Sequence, residues 1–99
     1  MITDKKVKSD LESIKFYYAN QQSFDIAVNS IGECAVIETV KRYNEAIKDA
    51  PAMLFDLYVS LYVMGQTQLE VALDWERCAD YVYKQNIKLR KYLSEHISA

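Results

Sequence analysis

Gly32, Pro51 and Gly65 are the only glycines and the only proline in a chain of 99 residues. Tight turns with positive φ draw mainly on glycine, so a chain this poor in it is a bad candidate for a fold built from hairpins. The stretches between these three positions are rich in Ala, Leu, Lys, Glu and Gln, which lose little freedom on entering a helix. The expectation is an all-α protein of about five helices. Half of the residues (51%) are hydrophobic and 26% are charged, in keeping with one domain over 1–99 and a single core. A chain of this length can bury roughly 60 to 70% of its unfolded surface without a disulfide or a metal.

Hydrophobic spacing places the helices. Val7, Leu11, Ile14 and Tyr18 recur at four, three and four residues, the stripe of a helix opening near Thr3 or Asp4. Ser23 can cap a shorter piece holding Phe24, Ala27 and Val28, with Gly32 as its αL terminator, although the break at 20–23 stays open. From Glu33, the stripe Val36, Val40, Tyr43 and Ile47 marks a helix running to about Asp49. Pro51 suits the first turn of the next helix, with Asp49 or Ala50 as its cap, and Leu54, Leu57, Tyr58 and Leu61 as its buried side up to Gly65.

The segment after Gly65 is the most informative. Thr67 is followed three residues later by Glu70, the signature of a capping box that opens a short helix holding Leu69, Val71, Ala72 and Leu73. A corner at Asp74-Trp75-Glu76-Arg77 leads to a longer helix from Cys78 to about Ser94, with the stripe Val82, Asn86, Leu89 and Leu93. A short helix with a small residue at its centre, a corner and a longer polar helix form the helix-turn-helix plan, in which Ala72 would allow close crossing.

These residues resemble region 4 of bacterial sigma factors and the related helix-turn-helix of small phage late-gene transcriptional regulators. The resemblance runs from Tyr58 to Leu93, about a third of the chain, and is carried by Gly65-Gln66-Thr67-Gln68-Leu69-Glu70-Val71-Ala72, then Cys78 to Val82 and Lys84 to Leu93. It divides the chain into N-terminal helices (1–50) and a region 4-like unit (51–99). It implies a DNA-binding regulator, encoded by a phage or prophage, whose recognition helix starts near Cys78. Arg77, Asp80, Tyr81 and Lys84 would then approach bases, while Lys88 and Lys91 would hold phosphates. It also implies that Trp75 plugs the gap between the two helices. The chain departs from the family in carrying Glu76 where a corner Gly is usual, Cys78 where a hydroxyl caps the second helix, and Asn86 on the apolar stripe.

Charge limits how such a protein could bind DNA. The formal net charge is −2, so a cationic surface must be local. Residues 65–99 hold five Lys or Arg against five Asp or Glu, yet Lys84, Lys88, Arg90 and Lys91 follow the acids Glu70, Asp74, Glu76 and Asp80 in sequence. Lys84, Lys88 and Lys91 share a helix face opposite Val82 and Leu89, either a phosphate-contacting row or an ordinary solvated face. The alternative function is a protein-binding module that grips an RNA polymerase subunit or another host protein. Eight tyrosines favour it. Tyr18, Tyr43 and Tyr58 fall on core stripes, whereas Tyr17, Tyr62, Tyr81, Tyr83 and Tyr92 are candidates for a surface or a homodimer.

Other classes find little support. Cys34 and Cys78 have neither CxxC nor Cys/His spacing and read as buried thiols in a reducing cytosol, with no metal expected. His96 stands without a patterned acid or nucleophile, which argues against an enzyme, and Glu70 and Asp74, one turn apart, read as solvated. Two glycines leave no phosphate-cradling loop and no cofactor is expected. The opening MITDKKVKSD lacks an apolar signal core, and Asp56, Ser60 and Gly65 interrupt the apolar stretches, so the expected location is cytoplasmic, away from membranes.

Overall fold

Helix α1, Asp4–Ala19, begins where the sequence supplies an acceptor: extended Thr3 takes the Lys6 N–H on its side chain at 3.1 Å. The structure, a computed structural model, describes residues 2–20 and 35–97. Among them it is all-α, with five helices and no strand. After α1 come α2, Ala35–Ile47, and α3, Ala52–Tyr58, which continues as a π-helical turn over Val59–Val63. The last two are α4, Gln68–Asp74, and α5, Ala79–His96. The short helix expected around Ser23 to Gly32 lies outside the described residues.

Two boundaries differ from the sequence reading. Pro51 is the residue before α3 rather than part of its first turn: its ψ is 143°, and its carbonyl accepts the Phe55 N–H at 3.0 Å. Its lack of an N–H is harmless there too, because the orphan donors of a helix begin one residue later. Helix α2 ends at Ile47, two residues short of Asp49, and the Ala50 N–H closes its last turn onto the Ile47 carbonyl at 3.0 Å.

The chain does stop helical winding at Gly65, whose φ of 73° suits a residue without a side chain. The end is wider than an α-helical one. The Met64 N–H reaches the Val59 carbonyl at 2.8 Å, and the Gln66 N–H reaches Ser60 at 2.9 Å. Such a turn accommodates an extra residue and rotates the side chains that follow it.

The apolar stripes converge on one core. Val7, Leu11 and Ile14 from α1 meet Val40, Tyr43 and Ile47 from α2 and Leu54, Leu57, Tyr58 and Leu61 from the third helical stretch. Val71 and Ala72 from α4 and Val82, Leu89 and Leu93 from α5 complete it. Helix α5 touches each of the other four helices and so runs as the common support. Val36 and Tyr18, at the ends of their stripes, are only half-buried. No helix among the described residues is long and apolar enough to cross a membrane.

Polar bonds fix how the helices sit within this core. The Tyr43 hydroxyl donates to Asp10 Oδ2 at 2.7 Å, and Lys6 Nζ lies 2.9 Å from the other oxygen. Asp10 is 5% exposed and Tyr43 fully buried, so α1 and α2 share a desolvated carboxylate held by two donors. Burial, reinforced by the nearby Asp10, pushes the Tyr43 phenol well above its usual range, which keeps it a donor. Tyr58 donates to Asn44 Oδ1 at 2.9 Å, and Asn44 donates in turn to the Tyr18 hydroxyl at 3.0 Å.

The two ends of the chain are also joined. Ile2 and Ser94 exchange hydrogen bonds: the Ile2 N–H donates to the Ser94 carbonyl and the Ser94 hydroxyl to the Ile2 carbonyl. Arg90 Nε meets Asp4 Oδ1 at 3.0 Å beside them. Replacing Tyr43 by Phe removes one donor from a buried carboxylate and is expected to lower stability by about 1–3 kcal/mol. Urea denaturation checks this, with a lower midpoint and unchanged slope expected and an unchanged midpoint as the contrary result.

Candidate nucleic-acid interface

The geometry around α4 and α5 follows from local chemistry. Thr67 accepts the Glu70 N–H at 3.1 Å while Glu70 Oε1 accepts the Thr67 N–H at 2.9 Å, so the capping box read from the sequence is formed. Helix α4 is two turns long, and only Val71 and Ala72 face the core. The chain then leaves the helix by Arg77 donating its N–H back to the Ala72 carbonyl at 2.9 Å. This closure requires Glu76 at φ 54°, the left-handed conformation in which the resembling family usually has Gly.

Helix α5 starts anew at Ala79, so residues 67–93 are not one continuous rod. Cys78 occupies its N-cap position with φ −78° and ψ 157°, yet makes no side-chain capping bond. Its thiol is free and exposed, which corrects the expectation of burial: a residue at the mouth of a surface corner has no core to enter. Cys34 lies outside the described residues. Trp75 packs against the core as expected of a plug, but it remains half-buried.

The six residues singled out as DNA contacts fall at the corner and along the exposed side of α5. Arg77 is exposed and its guanidinium lies 4.9 Å from the centre of the Tyr81 ring, while Tyr81 itself is half-buried against the core. Asp80 and Lys84 are exposed and paired at 3.0 Å, one turn apart. Lys88 and Lys91 are exposed, and neither has an ion-pair partner among the described residues. The three lysines therefore face solvent, opposite the buried Val82 and Leu89.

Several neighbours were missed by reading spacing alone. Ile87 is exposed on α5 near the lysine row, and Leu69 and Leu73 are 60% and 70% exposed on α4. Asn86, out of place on an apolar stripe, is buried because the Tyr62 hydroxyl donates to its Oδ1 at 2.7 Å. Burial pushes the Tyr62 phenol above its usual range. Of the tyrosines expected at the surface, only Tyr83 is exposed; Tyr17, Tyr62, Tyr81 and Tyr92 rest half-buried on the core.

The acids and the histidine have structural employment. Glu70 belongs to the capping box, and Asp74 accepts from Gln66 Nε2 at 2.9 Å, so each of these exposed carboxylates has a hydrogen-bond donor of its own. His96 stacks on Tyr92 with ring centres 4.0 Å apart, its Nδ1 lying 2.8 Å from the Tyr92 carbonyl in the last turn of α5. No group of three or more His, Cys, Asp or Glu fit to hold a metal occurs among the described residues.

No protein family, curated protein or solved structure matches this chain. The corner can nonetheless be tested directly. Glu76→Gly relieves a left-handed non-glycine residue, and Cys78→Ser supplies the missing capping oxygen; each is expected to stabilise by about 1 kcal/mol. Thermal denaturation should show both melting temperatures rising; a fall for Glu76→Gly would mean that the Glu76 side chain holds the corner.

Proposed function

We propose that the protein is a transcription regulator that binds double-stranded DNA, with α4, the corner and α5 acting as a helix-turn-helix. The single observation that carries this reading is the exposed row Lys84, Lys88 and Lys91, on a helix that restarts after a four-residue corner. Resemblance of the same stretch to region 4 of sigma factors supports it and points to a regulator of phage or prophage origin working in the cytoplasm. The first turns of α5 would enter the major groove, with Arg77, Asp80, Tyr81 and Lys84 close to base edges. Asp80 could accept from cytosine N4 only by releasing Lys84, and Arg77 would leave its place over Tyr81, so base reading on this surface requires two exposed pairs to open. Lys88 and Lys91, which have no pair to break among the described residues, carry the phosphate contacts.

A second reading, a protein-binding module directed at an RNA polymerase subunit or another host protein, is favoured by one observation. Five of the seven exposed large hydrophobics among the described residues, Met64, Leu69, Leu73, Tyr83 and Ile87, lie between positions 64 and 87. Apolar surface gathered on one unit suits a protein partner or a homodimer better than a phosphate backbone.

Gel shifts with a mixed promoter library at about 50 mM salt separate the two. Binding by the unaltered protein, weakened in Lys88→Ala/Lys91→Ala together with a salt slope lower by about 2, is the expected result. Equally weak binding by both proteins, together with nuclease-resistant capture of a host protein that Leu73→Asp abolishes, would favour the module.

A further inference from the structure

Three cations meet on a cleft remote from the lysine row. Lys8 and Lys15 of α1 and Arg90 of α5 line a depression of about 370 Å³, together with Leu11, Glu12 and Tyr62. It adjoins a second cleft, of about 270 Å³, that shares Lys15 and Tyr62 and is finished by Leu61, Gln66, Thr67 and Gln68. The wall common to both is the π-helical turn, whose wider winding carries Leu61 and Tyr62. Turns of this kind are uncommon and occur disproportionately at binding sites. On α5, Arg90 lies about 100° around the helix from Lys91, so the cleft and the lysine row look in different directions.

Two of the three cations are unpaired among the described residues, and the third is only partly engaged. Neither Lys8 nor Lys15 has an ion-pair partner among the described residues. The Arg90 side chain is only 15% exposed, yet its one carboxylate contact uses Nε, with Asp4. Its two terminal nitrogens thus have no acceptor among the described residues. A guanidinium on a partly buried stem, its fork donors without a protein acceptor among the described residues, shares the cleft with two unpaired ammonium groups, and together they favour an oxyanion of two negative charges that can accept several bonds at once. Glu12 is the only carboxylate on the lining and offsets part of this charge. Beside the cations, Leu11, Leu61 and Tyr62 offer apolar surface, Gln68 offers its amide, and Gln66, whose Nε2 donates to Asp74, offers its amide oxygen.

We infer that this double cleft binds a small phosphate-bearing molecule, its phosphate held by Lys8, Lys15 and Arg90 and its organic part lying along Tyr62 toward Gln66 and Gln68. The site does not depend on the DNA-binding reading, since it uses none of the residues assigned to DNA.

Amide chemical shifts of the full chain, titrated separately with ADP, adenosine, inorganic phosphate and a short DNA duplex, test it. ADP is expected to shift residues lining the two clefts and leave Lys84, Lys88 and Lys91 unmoved, with inorganic phosphate acting more weakly at the Lys8–Lys15 end and adenosine weaker still. Lys8→Ala/Lys15→Ala, two exposed positions outside the core, should weaken ADP binding about tenfold or more without altering the melting temperature, whereas Lys5→Ala should not. Saturating shifts confined to the cleft for ADP, lost in the double variant, support the site. Absence of any ADP shift, shifts that follow ionic strength alone, or cleft shifts produced by the duplex but not by ADP would overturn it.

Discussion

The whole arrangement depends on one seam of α5. Val82, Leu89 and Leu93 are completely buried, and around them α1, α2, α3 and α4 each find a place. Eighteen residues of helix span about 27 Å, long enough for separate elements to dock at different heights along one rod. The seam is not purely apolar, and its polar members decide register. Asn86 accepts from Tyr62, so the π-helical turn can dock at one height only; a slide by one helical turn would strand a buried amide. Leucine contacts alone would tolerate such a slide far better.

A similar logic operates where α1 crosses α2. The Asp10 carboxylate is buried because two donors, the Tyr43 hydroxyl and the Lys6 ammonium, replace the water it loses. The Lys6 member comes from the same helix, one turn earlier, and needs no tertiary contact to form. Tyr43 comes from the next helix, so its bond exists only when the two helices are aligned. Burial of Tyr43 and of its acceptor is therefore a single event, and the alignment of α1 against α2 is specified by a bond as well as by the fit of Val7 and Leu11.

How much of this was legible in the sequence follows from the range over which each feature is determined. The stripes of α1, α2, α3 and α5 repeat with the period of a helix, and their central residues are the ones buried. The capping box and the restart after the corner are equally local: Thr67 and Glu70 are three residues apart, and Arg77 bonds back five residues to Ala72. What spacing could not reveal are partnerships between distant positions. Asp10 looks like a solvated acid until Tyr43 is brought to it, 33 residues on, and Asn86 looks like a defect until Tyr62 faces it. The π-helical turn escaped for another reason. Val59 to Val63 reads as ordinary helix, and the wider winding shows only in where Met64 and Gln66 send their N–H groups. The candidate contacts on α5 were legible as a row of lysines, but not the Asp80–Lys84 pair or the placement of Arg77 over Tyr81.

Charge placement explains how an acidic chain can present cationic surface. Both acids of α4 are hydrogen-bonded, Glu70 in its cap and Asp74 by Gln66, and Asp80, in the first turn of α5, pairs with Lys84. Only the Asp80–Lys84 pair, one turn apart, cancels charge, so over the last turns of α5 the field is set by Lys88, Lys91 and the oppositely charged Glu95. Toward α1, Lys8, Lys15 and Arg90 stand against Glu12 on the cleft and Asp4, which pairs with Arg90. At physiological ionic strength, exposed charges more than about 8 Å apart are screened from one another. A net charge of −2 spread over the molecule therefore does little to oppose an anion that approaches either face closely. What would decide binding on each face is the number of amines without a carboxylate beside them, which among the described residues means Lys88 and Lys91 on one face and Lys8 and Lys15 on the other.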